Sequence, residues 1–346
     1  MFMVARIFKI IRQNIIGFIL GLLVMGTGVY ATVVIAASNV GYSDNNDLGA
    51  VNVQDAIDKL NTKATIKVKE AKEECPDKMF CKLKLCKRAT TLHTEICSND
   101  DSSYYCQADG YVLNDTITYG NLGTTGTLAS GDAFDCDVNG DGVYDSETER
   151  FYYVSDATNG VTNDNSIAVL IYYNNVSRGI ASNSAVYAYD ESKSNNNGPV
   201  TAIAQLPTIE QWNNVSLKNT TRAITNENGE NTTSAGNLPT AFSYLGYAAR
   251  FLTYQEVYSG CFDGTVNIDS AKSLSTKCKY LMENTKYSSS NMKTYGGWLE
   301  TPYFSTSIYA RYLDSHNRTV NISVVENNIN LGVRPVIEVS KTNIDY

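Results

Sequence analysis

The chain of 346 residues has only two histidines, His93 and His316, which excludes a multi-histidine metal centre within one chain. It has no Gly-x-Ser-x-Gly run, so a serine nucleophile paired with His316 would lack the elbow that presents it. It also has no Cys-x-x-Cys, and the six cysteines of the first half have only His93 nearby as a further zinc ligand. Asp and Glu are plentiful, yet nothing in their spacing nominates a pair for glycoside hydrolysis. An enzyme is therefore not the expected reading. Positive charge is scarce as well, with 28 Lys and Arg against 36 Asp and Glu and a net charge of −8. The acidic excess lies in residues 89–346 and argues against nucleic acid as a partner. The basic excess is confined to 62–88, where a solvated helix face is a simpler account than contact with anionic lipid or cell-wall polymer.

Charge is absent altogether from residues 15–37, behind Arg6, Lys9 and Arg12. An apolar run of this length spans the roughly 30 Å core of a bilayer as a helix. The basic flank predicts a cytoplasmic tail at 1–12, a transmembrane signal-anchor at 13–37 and everything beyond it outside the cell. Small residues at Val29-Tyr30-Ala31 and Ile35-Ala36-Ala37 leave a cleaved signal peptide as the rival, and both readings export the remainder. Gly17-Phe18 resembles a pilin processing site, but Leu22 stands where such segments carry Glu, so a pilin-like structural subunit is the weaker reading. Eight cysteines in an exported chain predict disulfides. Cys261 and Cys278 are expected to pair with each other. Cys75, Cys81, Cys86, Cys97, Cys106 and Cys136 leave every connectivity open.

Beyond the anchor the chain divides by composition. Residues 38–62 read as a stalk in which Asn52 caps a helix with Val53, Ala56, Ile57 and Leu60 on one face, which would either pack on a neighbour or serve homo-oligomerisation. Asn52 to Leu60 resembles a short repeat of phage tail-fibre and bacterial surface proteins. Residues 63–110 form a Lys- and Cys-rich segment held by cross-links. Residues 111–346 predict an irregular α+β domain with small antiparallel sheets. Strands are expected at 116–119, 151–154, 168–173, 320–325 and 333–339, and short helices at 208–213 and 253–258. The Asn-, Gly- and Ser-rich stretches 190–199 and 225–237 read as loops too polar to be buried.

Asp137, Asn139, Asp141 and Asp145 occupy positions 1, 3, 5 and 9 of an EF-hand-type loop, with Gly142 at position 6 for the sharp turn. This spacing predicts calcium as a cofactor, and the run resembles dockerin-type calcium loops. Position 12 is Thr148, so Glu147 or Glu149 would have to supply the missing carboxylate, with Asp132 or Asp135 approaching from the other side. A metal-free Asp/Asn/Gly turn pinned by Cys136 is the alternative.

Gln205-Leu206-Pro207-Thr208-Ile209-Glu210-Gln211-Trp212 resembles the "RLPTEAEW" segment of the formylglycine-generating-enzyme-like branch of the C-type lectin fold. Ala249 to Glu256, Trp298-Leu299-Glu300-Thr301-Pro302 and Gly332-Val333-Arg334-Pro335-Val336 are similar to a bacterial domain family of unknown function with hallmarks "FLLS-x-E", "WWLRSP" and "GVRPAL". Glu300 replaces that family's Arg, and Gly297 its first Trp. The resemblance implies a C-type lectin-like fold whose ends meet, with Trp298, Pro302, Arg334 and Pro335 as frame. It also brings in oxidases of the formylglycine-generating type as the enzyme alternative, for which Cys261 and Cys278 would be the distal thiolate pair.

Between these fixed points, residues 303–330 are rich in Tyr, Ser and Asn, the composition of a recognition surface. Tyr303, Tyr309, Arg311, Tyr312, Asp314, His316, Asn317, Arg318, Asn321 and Asn328 are the candidate ligand-binding residues. Alternation along 319–325 would turn one set outward. The span also resembles the variable region of proteins diversified by retroelements. The expectation is thus a single-pass cell-membrane protein displaying a C-terminal extracellular domain to a protein or carbohydrate ligand.

Overall fold

The structure is a computed structural model that describes residues 59, 84–97, 113–157, 164–233, 236–237, 241–261, 272–273, 276–285, 296–315, 318–327 and 330–346. The chain divides into two units, residues 1–82 and 83–346. In the first, Lys59 lies in a helix. The expected tail, the anchor at 13–37, the rest of the stalk, and residues 63–83 and 98–110 of the Cys-rich segment lie outside the described residues. Among the described residues no helix is long and apolar enough to cross a membrane.

The second unit is strand-rich. It opens with β1 (Cys86–Arg88), β2 (Thr94–Ile96), β3 (Thr116–Thr118), β4 (Ala133–Cys136), β5 (Arg150–Ala157) and β6 (Asp164–Tyr172). Two-residue strands follow: β7 (Val176–Ser177), β8 (Ile180–Ala181), β9 (Thr221–Arg222), β10 (Thr232–Thr233), β11 (Gly236–Asn237), β12 (Phe242–Ser243) and β13 (Lys272–Ser273). The chain closes with β14 (Gly296–Pro302), β15 (Tyr309–Asp314), β16 (Thr319–Val324), β17 (Leu331–Gly332), β18 (Val336–Ser340) and β19 (Ile344–Asp345). Two short α-helices, α1 (Val200–Ile203) and α2 (Tyr254–Cys261), interrupt the strands.

A six-stranded sheet in the order β18-β6-β5-β4-β1-β19 forms the centre. Its long strands are β-branched and aromatic, and β5 is buried along nearly its whole length. Such a strand needs apolar cover on both faces. Alternation supplies it: Phe151 and Tyr153 enter one core with Leu170, Trp212, Phe251 and Trp298, while Tyr152 and Val154 enter a second with Ile171, Val257, Tyr280 and Leu299. The edge strands β18 and β19 are separated only by residues 341–343, a reach of at most about 14 Å, so the sheet curls until its edges approach. β19 runs parallel to β1, bringing the beginning and end of the unit together. The sheet thus includes residues well before 111, where the sequence placed the start of the domain.

Disulfides brace this arrangement. Cys86 in β1 is bonded to Cys136 in β4, and Cys261 at the end of α2 to Cys278, the pairing expected from sequence. Cys97 is also disulfide-bonded.

Several local expectations are corrected. Residues 208–213 form a turn instead of a helix, because Thr208 is engaged in a β-bridge with Tyr247. The helix expected at 253–258 is α2. Its capping box is complete, with the Glu256 N–H donating to Thr253 Oγ1 (3.2 Å) and the Thr253 N–H to Glu256 Oε2 (2.9 Å). The stretches 190–199 and 225–237 are not simply solvated: Asp190, Asn195, Asn226 and Glu227 are all buried. Backbone and side-chain hydrogen bonds accompany their burial, with Asn195 Oδ1 left without a partner.

A five-stranded sheet in the order β13-β16-β15-β14-β17 carries the distal segment. Trp298 is buried in β14 and donates from Nε1 to the Tyr187 carbonyl (2.7 Å). Arg334, before β18, donates to the carbonyls of Tyr172, Leu281 and Tyr280 at 2.5 to 2.7 Å. Both therefore serve as frame. Glu300 is also buried, accepting from Arg222 (2.8 Å) and from the Tyr244 hydroxyl (2.9 Å). An Arg in its place would face Arg222 directly.

Candidate functional site

The distal residues singled out from sequence separate into an inner and an outer set. Arg311, Tyr312 and Asp314 face inward, each less than a tenth exposed. Arg311 donates to Glu227 Oε1 (2.6 Å) and stacks over the rings of Tyr303 and Tyr254 at 4.8 and 5.4 Å. Asp314 accepts from the Tyr312 hydroxyl (3.1 Å) and from Asn321 Nδ2 (3.3 Å). These three hold the sheet together, and the sequence reading that put them on a display surface is corrected to that extent. Composition could not reveal this, because β15 lies between β14 and β16 and every residue after Tyr309 is covered. Tyr303, Tyr309, Arg318 and Asn321 are half-exposed. His316, Asn317 and Asn328 lie outside the described residues.

The outer set is joined by a segment that sequence reasoning set aside. Asn195 is fully buried, and its backbone N–H donates to the Ser307 carbonyl (2.6 Å). Its side-chain Nδ2 donates to the carbonyls of Tyr303 (3.2 Å), Thr306 (2.7 Å) and Tyr309 (2.6 Å). One amide thus gathers the hairpin between β14 and β15 around itself. Glu227 secures the same hairpin from the other side, accepting from the Phe304 N–H (3.0 Å). The loop 190–198 is also closed internally, with Asp190 accepting from Ser192 and Asn197. It is tied to the end of β16 by the Asp190 N–H to the Val325 carbonyl (3.1 Å) and by Lys193 to Glu326 (2.6 Å). The Val325 N–H in turn donates to the Ile308 carbonyl (2.9 Å).

Segments 303–309 and 321–327, joined by the β15–β16 hairpin, and the distant segment 190–198 are therefore stitched into one surface. Its middle is apolar, with Ile308 47% and Val324 37% exposed where Tyr309 and Val324 face each other across the β15–β16 pairing. Tyr303 and Phe304 flank it. Lys193, Asn196, Asn197, Glu326 and Asn327 are polar, at least partly exposed residues of the same segments. The expected alternation along 319–325 is absent, since Asn321, Ile322 and Ser323 are all half-exposed. Tyr303, Tyr309 and Asn321 were the residues of this surface that the sequence signalled, through the Tyr- and Asn-rich composition of 303–330. Asn195 carried no such signal.

The four residues read as calcium ligands lie together in the turn between β4 and β5. Asn139 Oδ1 accepts from the Asp141 N–H (2.9 Å), Asp141 Oδ1 from the Val143 N–H (2.7 Å) and Asp145 Oδ1 from the Glu147 N–H (2.8 Å). Asp137 Oδ2 accepts from the Gly142 N–H (3.0 Å). Among the described residues no group of three or more His, Cys, Asp or Glu side chains is drawn together as a metal cage. Asp132 and Asp135 are engaged by Arg88 (3.2 Å) and Arg150 (2.7 Å).

Cys261 and Cys278 are fully buried as a disulfide. Comparison with protein-family models, with curated proteins and with solved structures finds no match to this chain.

Proposed function

We propose that this is an exported protein, tethered to the cell membrane through residues 13–37, whose strand-rich unit binds an extracellular protein or carbohydrate ligand. The observation that carries the reading is the surface built from 190–198, 303–309 and 321–327. An apolar centre among polar residues is the anatomy of a recognition interface, and half-exposed tyrosines supply contact area at little entropic cost. The surface is also pre-organised, because the Asn195 amide holds the hairpin before any ligand arrives. Disulfides in the folded unit agree with an oxidising destination.

The scaffold reading stays with the C-type lectin-like class. Support comes from the short motifs around Trp298 and Arg334 and from the meeting of β1 with β19. A retroelement-diversified variable region would then correspond to 303–330. Its genomic signature is a near-copy of the coding region for 298–340 beside a reverse transcriptase. The oxidase alternative would require the buried Cys261–Cys278 disulfide to open and become accessible.

The test is a glycan-array and cell-binding screen with the full chain displayed on cells. Ile308→Asp, Tyr309→Ala and Lys193→Glu are expected each to weaken a detected interaction by about tenfold or more, as truncations at interface hot spots do. Undiminished binding in all three, with folding intact, would sink the reading.

A further inference from the structure

The turn between β4 and β5 carries five carboxylates, Asp137, Asp141, Asp145, Glu147 and Glu149, and no basic residue before Arg150. Arg150 is occupied by Asp135. Two of the five are buried, Asp137 at 6% exposure and Glu149 at 4%. Asp137 Oδ2 accepts from the Gly142 N–H and Glu149 Oε2 from the Asp145 N–H (3.3 Å), and the Gly140 and Asp141 amides also lean on Asp137 as the Asn139 amide does on Glu149. The other oxygens, Asp137 Oδ1 and Glu149 Oε1, are buried without any hydrogen-bond partner. Among the described residues no ion pair reaches either carboxylate.

Buried carboxylates are costly unless paired, and a pair of them without a cation must take up a proton or a metal. Burial, together with the charges of Asp137 and Asp141, pushes Glu149 up to about 7 even though the Asp145 N–H opposes it. Asp137 is raised in the same way, by burial first and by Asp141. A cation beside the turn, Lys87, stacks over the Tyr144 ring at 4.5 Å.

We propose that this turn binds one calcium ion, with Asp137 and Glu149 as anchoring carboxylates and Asn139, Asp141 and Asp145 completing an all-oxygen set. Glu149 takes the part that Thr148 cannot, one residue beyond the position where an EF-hand carries its last ligand. Thr148 instead donates its hydroxyl to Asp145 Oδ2 (2.8 Å). Gly140 and Gly142, at φ 73° and 79°, provide the curl that aims alternate side chains inward. As the turn stands, Asn139, Asp141 and Asp145 are held by backbone amides of the same turn. Ion entry exchanges those amides for the metal, a rearrangement that calcium's flexible coordination tolerates better than magnesium's octahedron. Asn214 anchors the turn, donating from Nδ2 to the Asp137 carbonyl (2.7 Å) and from its N–H to the Val138 carbonyl (3.0 Å), so binding is coupled to the sheet.

The test uses the full chain, stripped with chelator and titrated with calcium chloride by calorimetry. Terbium is the optical probe, with emission sensitised by Tyr144 inside the turn. One ion per chain is expected, with a Tm that rises in calcium and less in magnesium. Glu149→Gln and Asp137→Asn should each weaken binding by more than about tenfold. Without calcium, Glu149→Gln should be at least as stable as wild type, because it removes an unpaired charge. Absence of both heat and terbium emission in wild type overturns the proposal, as does undiminished binding in the two variants. Should both variants fail to fold, Tyr144→Phe decides: unchanged terbium emission places the ion elsewhere.

Discussion

Asn195 shows how much a single polar side chain can organise when it is buried. Removing its amide takes the shared donor from the carbonyls of Tyr303, Thr306 and Tyr309, of which Tyr309 keeps the Tyr303 N–H (3.1 Å). Orphaned groups of that kind cost about 1–3 kcal/mol. Asn195→Ala should therefore lower stability by that amount in urea unfolding and speed hydrogen exchange at residues 303–309 ahead of the rest of the unit. Uniform acceleration across all amides would show that the clamp is not local. Glu300 is a second such residue, since truncation would leave Arg222 only its longer contact to Glu338 (3.9 Å); Glu300→Ala should cost about 3 kcal/mol by the same measurement. At this scale the sequence was legible for residues whose chemistry leaves little choice. Trp298 and Arg334 were read as frame, and each is buried with its donors satisfied. It was misleading for Arg311, Tyr312 and Asp314, whose polar character suggested a surface. Burial of Arg311 depends on Glu227, which comes from a distant part of the chain, and no local pattern encodes it.

Elements were legible where propensity and tertiary demand agreed. β5 and β6 are dense in β-branched and aromatic residues, and α2 begins with a capping box whose two halves stand three residues apart. Where they disagreed, tertiary context prevailed: Thr208 opens a turn with its own cap-like bonds, the Gln211 N–H donating to the Thr208 carbonyl (3.1 Å), but the β-bridge to Tyr247 prevents a helix from continuing. The short β1 could not have been found from its sequence, because Cys86-Lys87-Arg88 has no strand pattern. It is placed by pairing with β4 and β19 and by the disulfide to Cys136. That cross-link closes a separation of 50 residues. Chain entropy alone assigns such a link about 4 kcal/mol. The double variant Cys86→Ala/Cys136→Ala should lose about 2–5 kcal/mol in urea unfolding, and a loss below about 1 kcal/mol would mean that strand pairing alone suffices to hold β1.

At the scale of the molecule, the two cores on opposite faces of one curled sheet need ties between parts of the chain that the sheet does not join. His93 is one. It follows β1, and its ring nitrogens meet Glu283 Oε1 (2.6 Å) and the Ser146 carbonyl (2.6 Å), linking the first strands, the turn after β4 and the segment beside Cys278. Tyr152 donates its hydroxyl to the other oxygen of Glu283, Tyr173 stands edge-on to the ring at 5.1 Å, and Arg150 is the nearby cation. Burial alone would depress the imidazole, and Arg150 opposes its charge. Glu283 and the Ser146 carbonyl more than offset both, so His93 is raised above its ordinary value. The sign follows from that direction. A group with a folded value above its unfolded one stabilises fully below the unfolded value, near 6.5, and loses that contribution as pH rises through the folded value. Wild type should lose stability relative to His93→Gln as pH rises from about 6 to 8.5, read from urea midpoints in chelator. Glu149, also titrating in that window, is present in both proteins and cancels in the difference. Parallel profiles for the two proteins would mean that His93 carries no folding-linked proton and that Glu283 is held by Tyr152 alone.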